Sequence, residues 1–215
     1  MIFDIKIENF KRKSRFVAGG HTTETTATLT YASFVLRESV RIALTLAAFN
    51  DLEVKTGEIM NAYLTSPFGE KIWCICGPEF GVDAGKPAII TRALYGLKFN
   101  DASFRNHSDN CIQTLGYTSC RGDSDVWRKS MTRPDDGHKY YAYILLYVNG
   151  ILAIHHNSVS ALNEIDKFFH IKPESKGDPT TYLVAKLRKV TLSNGVEVWS
   201  ASPSKYVQES IKNVK

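Results

Sequence analysis

Tyr140-Tyr141-Ala142-Tyr143-Ile144-Leu145-Leu146, Tyr147-Val148-Asn149-Gly150 and Ile151-Leu152-Ala153-Ile154-His155 follow one another without interruption. Aromatic and β-branched residues fill both flanks, and Asn-Gly between apolar runs is the strongest short-range signal for a β-hairpin. The chain is therefore expected to turn back on itself here, with Asn149-Gly150 suited to a type I′ turn. The same apolar stretch is interrupted by that pair and is too short to cross a bilayer.

Working outward, Ser158 to Phe169 places Val159, Leu162, Ile165 and Phe169 on one helical face. A strand pair over Thr181 to Thr191 and Val196 to Ser200 follows. On the other side, Asp101 as N-cap and Gly116 as stop frame a helix to Leu115, with Phe104, Cys111, Ile112 and Leu115 inward. Earlier still come a strand at Val54 to Leu64, ending before Pro67, a strand at Ile72 to Ile75, a loop from Gly77 to Pro87 and a strand at Ala88 to Ala93. Val40, Ala43, Leu44 and Ala47 mark a helix from Glu38 to Asn50. Phe3 to Val17 alternates loosely up to Gly19-Gly20 and predicts a strand or hairpin arm carrying Lys11, Arg12, Lys13 and Arg15. From Val54 onward the order is strand, helix, two strands, helix, strand, the split βαβ or ferredoxin-like order, so the fold class is α+β with an antiparallel sheet packed on helices.

Composition narrows the class. The 215 residues are 43% hydrophobic, enough for a packed core, and 27 Lys+Arg against 22 Asp+Glu leave a formal charge of +5. That mild excess is compatible with a nucleic-acid partner without requiring one. Met1 to Arg15 lacks an apolar signal core, which with four cysteines predicts an intracellular, reduced protein. Cys74-x-Cys76 has no second cysteine pair at zinc spacing and reads as two small apolar strand residues. Glycines 77, 81 and 85 before Lys86 miss the phosphate-loop spacing, and Pro87 stands where that loop has Ser or Thr. His155-His156 closes a strand with no partner at metal-site spacing.

Five segments carry a resemblance. They are Arg12-Lys13-Ser14-Arg15-Phe16-Val17-Ala18, Asn61-Ala62-Tyr63-Leu64, Leu94-Tyr95-Gly96-Leu97-Lys98, Tyr147-Val148-Asn149-Gly150 and Tyr182-Leu183-Val184-Ala185-Lys186. In this order they resemble the reverse transcriptase domain of copia-type retrotransposons, an RNA-directed DNA polymerase. The resemblance implies fingers and a ferredoxin-like palm: residues 1–52 as a fingers-like segment with its helix, and 53–215 as the palm with a fingers insertion at about 66–98. It ends at Tyr206-Val207-Gln208-Glu209, ahead of a complete thumb and of RNase H. Template-primer RNA or DNA, a deoxynucleoside triphosphate and Mg2+ are the implied partners and cofactor.

The family's chemistry joins a primer hydroxyl to a triphosphate between two divalent ions held by carboxylates. The positions that match those carboxylates are Glu58, Asn149 and Gly150, and none is the family's Asp. Glu58 keeps the charge one methylene farther out and is the one remaining metal candidate. Asn149 is a neutral amide, and Gly150 has no side chain. Mg2+ is therefore not expected to bind productively, and polymerisation is expected to be lost.

Lys13, Arg15, Tyr63, Tyr95, Gly96 and Lys98 match nucleotide-binding positions, the ring of Tyr63 standing where the family crowds the sugar 2′ position. Leu183 and Val184 match the primer-contacting segment, where the family has Gly in place of Val184. Two alternatives stay open: a non-catalytic nucleic-acid-binding module using Lys11 to Arg15 and the sheet face, and a residual polymerase using Glu58 with Asp123, Asp125 or another nearby carboxylate.

Overall fold

The computed structural model describes residues 2–5, 10, 12–15, 17–19, 33–67, 69–183, 185–203, 207 and 211, with the side chains of Asp4 and Lys13 left out. Its strands are β1 (Ile2–Ile5), β2 (Arg12–Arg15), β3 (Glu53–Glu58), β4 (Trp73–Ile75), β5 (Pro87–Ile89), β6 (Thr118–Ser119), β7 (Val126–Thr132), β8 (Lys139–Tyr147), β9 (Gly150–His155), β10 (Thr181–Tyr182), β11 (Ala185–Thr191) and β12 (Glu197–Ser202). Its α-helices are α1 (Arg37–Phe49), α2 (Ala62–Thr65), α3 (Asn100–Thr114) and α4 (Ser158–Asp166), with 3₁₀ turns at Pro78–Asp83 and Pro173–Ser175. Every sheet is antiparallel, and the class is α+β. Two compact units are formed, Met1–Ala32 with Asn61–Asn110 and Ser33–Met60 with Cys111–Lys215.

The second unit is built on a five-stranded sheet in the order β3-β9-β8-β7-β6. Strand β9 inserts between β3 and β8 and runs antiparallel to both, so β3 and β8 run parallel to each other. Ile151, Leu152, Ala153 and Ile154 of β9 are all essentially inaccessible. Successive strand residues point to opposite faces, so such a run requires cover on both. Helices α1 and α4 pack against β3 and β9 and supply apolar faces from Val40, Ala43, Leu44 and Ala47, and from Leu162 and Ile165. Each fully buried Leu or Ile contributes about 1.5–3 kcal/mol.

The outer side of β3 is occupied by residues 170–177. Isolated bridges join Thr56 to Gly177 and Ile59 to Ile171, and the Met60 amide donates to the His170 carbonyl at 2.7 Å. Pro173 and the 3₁₀ turn at Pro173–Ser175 stop this segment from forming a continuous strand. Gly57 makes its close approach possible: a Cβ there would lie 2.9 Å from Ile171 Cγ2 and 3.4 Å from Leu162 Cδ2.

Several boundaries differ from the sequence expectations. The strand expected to run to Leu64 ends at Glu58, because Asn61 adopts a left-handed conformation (φ 49°) and starts α2. The strand expected at Ala88 to Ala93 is only Pro87–Ile89. Asp101 lies inside the first turn of α3, which begins at Asn100, and is not its N-cap. Helix α4 ends at Asp166, and Val159, expected inward, is 47% exposed. The strand expected over Thr181 to Thr191 is broken at Leu183, whose φ is 50°, and becomes a tight β10–β11 hairpin.

The β8–β9 hairpin forms where expected, but not through the expected turn. Tyr147 pairs with Gly150, so Val148 and Asn149 are the two central residues and Gly150 already belongs to β9. The left-handed conformation falls on Val148 (φ 52°) and not on Asn149 or Gly150. That pattern is the one required at the first central position of a II′-like turn, not of a type I′ turn. A β-branched residue there is strained by about 1–3 kcal/mol.

Candidate functional site

In the second unit, the end of β3 meets the β8–β9 turn. Glu58 lies directly opposite Gly150 in the strand register, and the Ile59 amide donates to the Asn149 carbonyl at 2.8 Å. The Asn149 side-chain amide makes a long 3.5 Å contact to the Ile59 carbonyl. Three positions separated by some ninety residues of sequence, Glu58 and the pair Asn149-Gly150, are thus adjacent.

They line an open groove of about 590 Å³ together with Tyr147, Val148, Glu174, Ser175, Asp178, Thr180, Thr181, Tyr182 and Leu183. Tyr182 holds the β10–β11 turn against this hairpin. Its hydroxyl donates to the Leu145 carbonyl at 3.0 Å, and its ring packs edge-on against Tyr147 at 6.4 Å. Nearly complete burial pushes its phenol far above the ordinary tyrosine range, with the Asp125 and Asp123 charges adding to the effect, so it stays a neutral donor. Leu183, expected at a primer-contacting position, therefore faces the same groove as Glu58 and Asn149. Val184 lies outside the described residues.

Glu58 is not a free ligand. Lys172 Nζ pairs with Glu58 Oε2 at 2.5 Å, the Lys172 amide donates to the Glu58 carbonyl at 2.8 Å, and the Glu58 amide donates to Ser175 Oγ at 2.7 Å. Asp178, also at the groove, is held by Lys55 at 2.8 Å. Asp123 and Asp125 serve elsewhere in the same unit. Asp123 Oδ2 accepts from the Leu36 amide, and buried Asp125 accepts from Ser33 Oγ at 2.7 Å.

A hard divalent cation needs several converging oxygen ligands, usually including carboxylates. The three positions matched to metal ligands present one carboxylate already carrying an ammonium, one neutral amide and a residue without a side chain. These residues do not fit a two-metal site. Among the described residues no three His, Cys, Asp or Glu side chains form a group able to hold a metal ion.

No family model matches this chain, and no curated protein or solved structure does either.

The first unit gathers a second set. Tyr95 bridges in parallel to Val17, and the Ala18 amide donates to the Tyr95 carbonyl at 2.8 Å, which fastens the segment after β2 to the Tyr95-Gly96 turn. The Arg15 guanidinium sits over the Tyr95 ring at 5.9 Å. Gly96 has φ 89°, and a Cβ there would fall 2.2 Å from the Ala18 carbonyl oxygen, so only glycine fits. Tyr63 packs edge-on against Tyr95 at 5.0 Å and donates its hydroxyl to Asp101. Burial, then the Asp101 hydrogen bond, raises the Tyr63 phenol far above its usual range. Lys98 is half-buried just after the turn. Lys13 lies on β2 opposite Asp4, while Lys11 is outside the described residues.

Sequence reasoning missed Lys172, Ser175 and the anchoring role of Tyr182. No spacing rule connects Lys172 to Glu58, because the contact depends on residues 170–177 pairing along β3. Among the described residues no helix is long and apolar enough to cross a membrane.

Proposed function

We propose that this chain is a reverse transcriptase domain derived from a copia-type retrotransposon, folded as fingers and palm, whose polymerase chemistry has been lost. The observation that carries this reading is the register that sets Glu58 opposite Gly150 and beside Asn149 at the mouth of one groove. Those are the three positions the resemblance assigns to catalytic carboxylates, and no feature of the sequence other than that resemblance would pair them.

Two further arrangements support it. Strand β9 between β3 and β8, with residues 170–177 bridging to the free side of β3, matches the order expected of a ferredoxin-like palm. Arg15, Tyr63, Tyr95 and Gly96, matched to nucleotide-binding positions, cluster in the first unit. The ancestral partners on this reading are a template-primer and a deoxynucleoside triphosphate. The strained turn at Val148 adds weight, since a hairpin selected only for stability would place Gly or Asn at a left-handed first position.

Loss of chemistry follows from the ligands. Removing one fixed electrostatic group from an active site commonly costs on the order of 10² to 10³ in rate. Here two carboxylate positions are empty of charge and the third is neutralised by Lys172. The test is primer extension on a primed RNA template with Mg2+ or Mn2+, comparing the unaltered chain with Glu58→Asp/Asn149→Asp/Gly150→Asp. The unaltered chain is expected to add no nucleotide above background. Metal-dependent extension by the unaltered chain overturns the loss of chemistry.

A further inference from the structure

We infer that Lys172 is a built-in counter-ion that takes the place of a divalent cation at the groove and holds it closed to metal. The inference rests on the polymerase-derived reading of the groove and adds to it a residue that no resemblance assigns. Unlike a chance pair between two surface side chains, Lys172 and Glu58 are also joined through their main chains. The Lys172 backbone amide donates to the Glu58 carbonyl at 2.8 Å, and three residues later Ser175 Oγ accepts the Glu58 amide at 2.7 Å. The bridge between Ile59 and Ile171 fixes the same segment from the preceding residue, in the space that Gly57 leaves open. With the main chain pinned on both sides of Glu58, the Lys172 ammonium reaches Glu58 Oε2 at 2.5 Å, the two side chains being 31% and 53% exposed.

The charge balance is consistent with this role. Three carboxylates line the groove, Glu58, Glu174 and Asp178. Two of them hold lysines, Glu58 through Lys172 and Asp178 through Lys55. A dication entering beside Glu58 meets an ammonium within hydrogen-bond distance of its ligand oxygen, and the two cations repel. Restoring carboxylates at 149 and 150 would then not by itself restore a metal site.

The experiment titrates Mn2+ alone into two variants and follows free Mn2+ by electron paramagnetic resonance. One variant is Asn149→Asp/Gly150→Asp, and the other adds Lys172→Met, which keeps the unbranched stem and every main-chain contact. The variant with Met is expected to bind Mn2+ about tenfold more tightly or better. Lys172→Arg in the same double background keeps the positive charge and is expected to bind no better than the double variant. Equal affinity with and without the lysine overturns the role of Lys172 and leaves the reading of the groove standing. No saturable binding by any of the three, each shown to be folded by circular dichroism, overturns both.

Discussion

Gly57→Ala tests how the groove is built. Gly57 is the next-to-last residue of β3, and an added Cβ would approach Ile171 Cγ2 to 2.9 Å and Leu162 Cδ2 to 3.4 Å. Both neighbours are buried, Ile171 at 3% and Leu162 at 1% exposure, so neither can swing into solvent. Forcing a methyl into such packing costs about 1–3 kcal/mol. Alanine returns about 0.4–1 kcal/mol by restricting the unfolded chain. The balance is a net loss centred on about 1 kcal/mol, which lowers the urea midpoint by roughly 0.5 M at typical slopes. Equilibrium unfolding followed by tryptophan fluorescence measures it, Trp127 being buried in the same sheet. Gly57→Ala/Ile171→Leu, which removes the branch methyl at the point of contact, is expected to recover much of the loss. A midpoint unchanged or raised by Gly57→Ala refutes the close packing of residues 170–177 on β3, and with it the fixed position of Lys172.

Two more outcomes follow from the same geometry. Val148→Gly relieves the left-handed strain at φ 52° and loses little burial, the side chain being 40% exposed, so it is expected to raise stability by about 0.5–1 kcal/mol in urea unfolding; a lowered midpoint contradicts the strained turn. His155 accepts the Asn157 amide on Nδ1 at 2.8 Å, and burial holds its pKa below the ordinary histidine value. The folded state thus binds fewer protons than the unfolded state, and stability present above about pH 6.5 falls as pH drops toward the depressed folded value. His155→Gln is expected to flatten the urea midpoint between pH 6.5 and 5, and an identical slope in the variant contradicts the assignment.

Much of the scaffold was legible because its signals are local. The apolar spacing of Val40, Ala43, Leu44 and Ala47 gives α1 within a residue of its ends, and the two β-prone runs around residues 147–150 give β8 and β9. Turn details were less legible because tertiary pairing overrides local preference. Asn149-Gly150 is ideal for a type I′ turn, yet register against β3 and β8 moves the centre to Val148 and Asn149. Asn61 ends β3 early by adopting a left-handed conformation, which asparagine tolerates in many contexts and which spacing alone does not announce. Of the candidate site, the grouping of Glu58, Asn149 and Gly150 was reached through motif resemblance. Lys172 was not, because its contact depends on an irregular segment pairing with a strand more than a hundred residues earlier.

The central claim, that Glu58, Asn149 and Gly150 occupy the ligand positions of a former polymerase metal site, has a direct test in Glu58→Asp/Asn149→Asp/Gly150→Asp/Lys172→Met crystallised with Mn2+. An added Cβ at Gly150 would meet the Tyr147 carbonyl oxygen at 3.2 Å, so the aspartate there requires the hairpin backbone to shift by a few tenths of an ångström. Anomalous scattering is expected to place Mn2+ in the groove, between the end of β3 and the β8–β9 turn, with oxygen ligands from residues 58 and 149 or 150. A map with no anomalous peak there, or with manganese only at sites elsewhere on the chain, contradicts the claim.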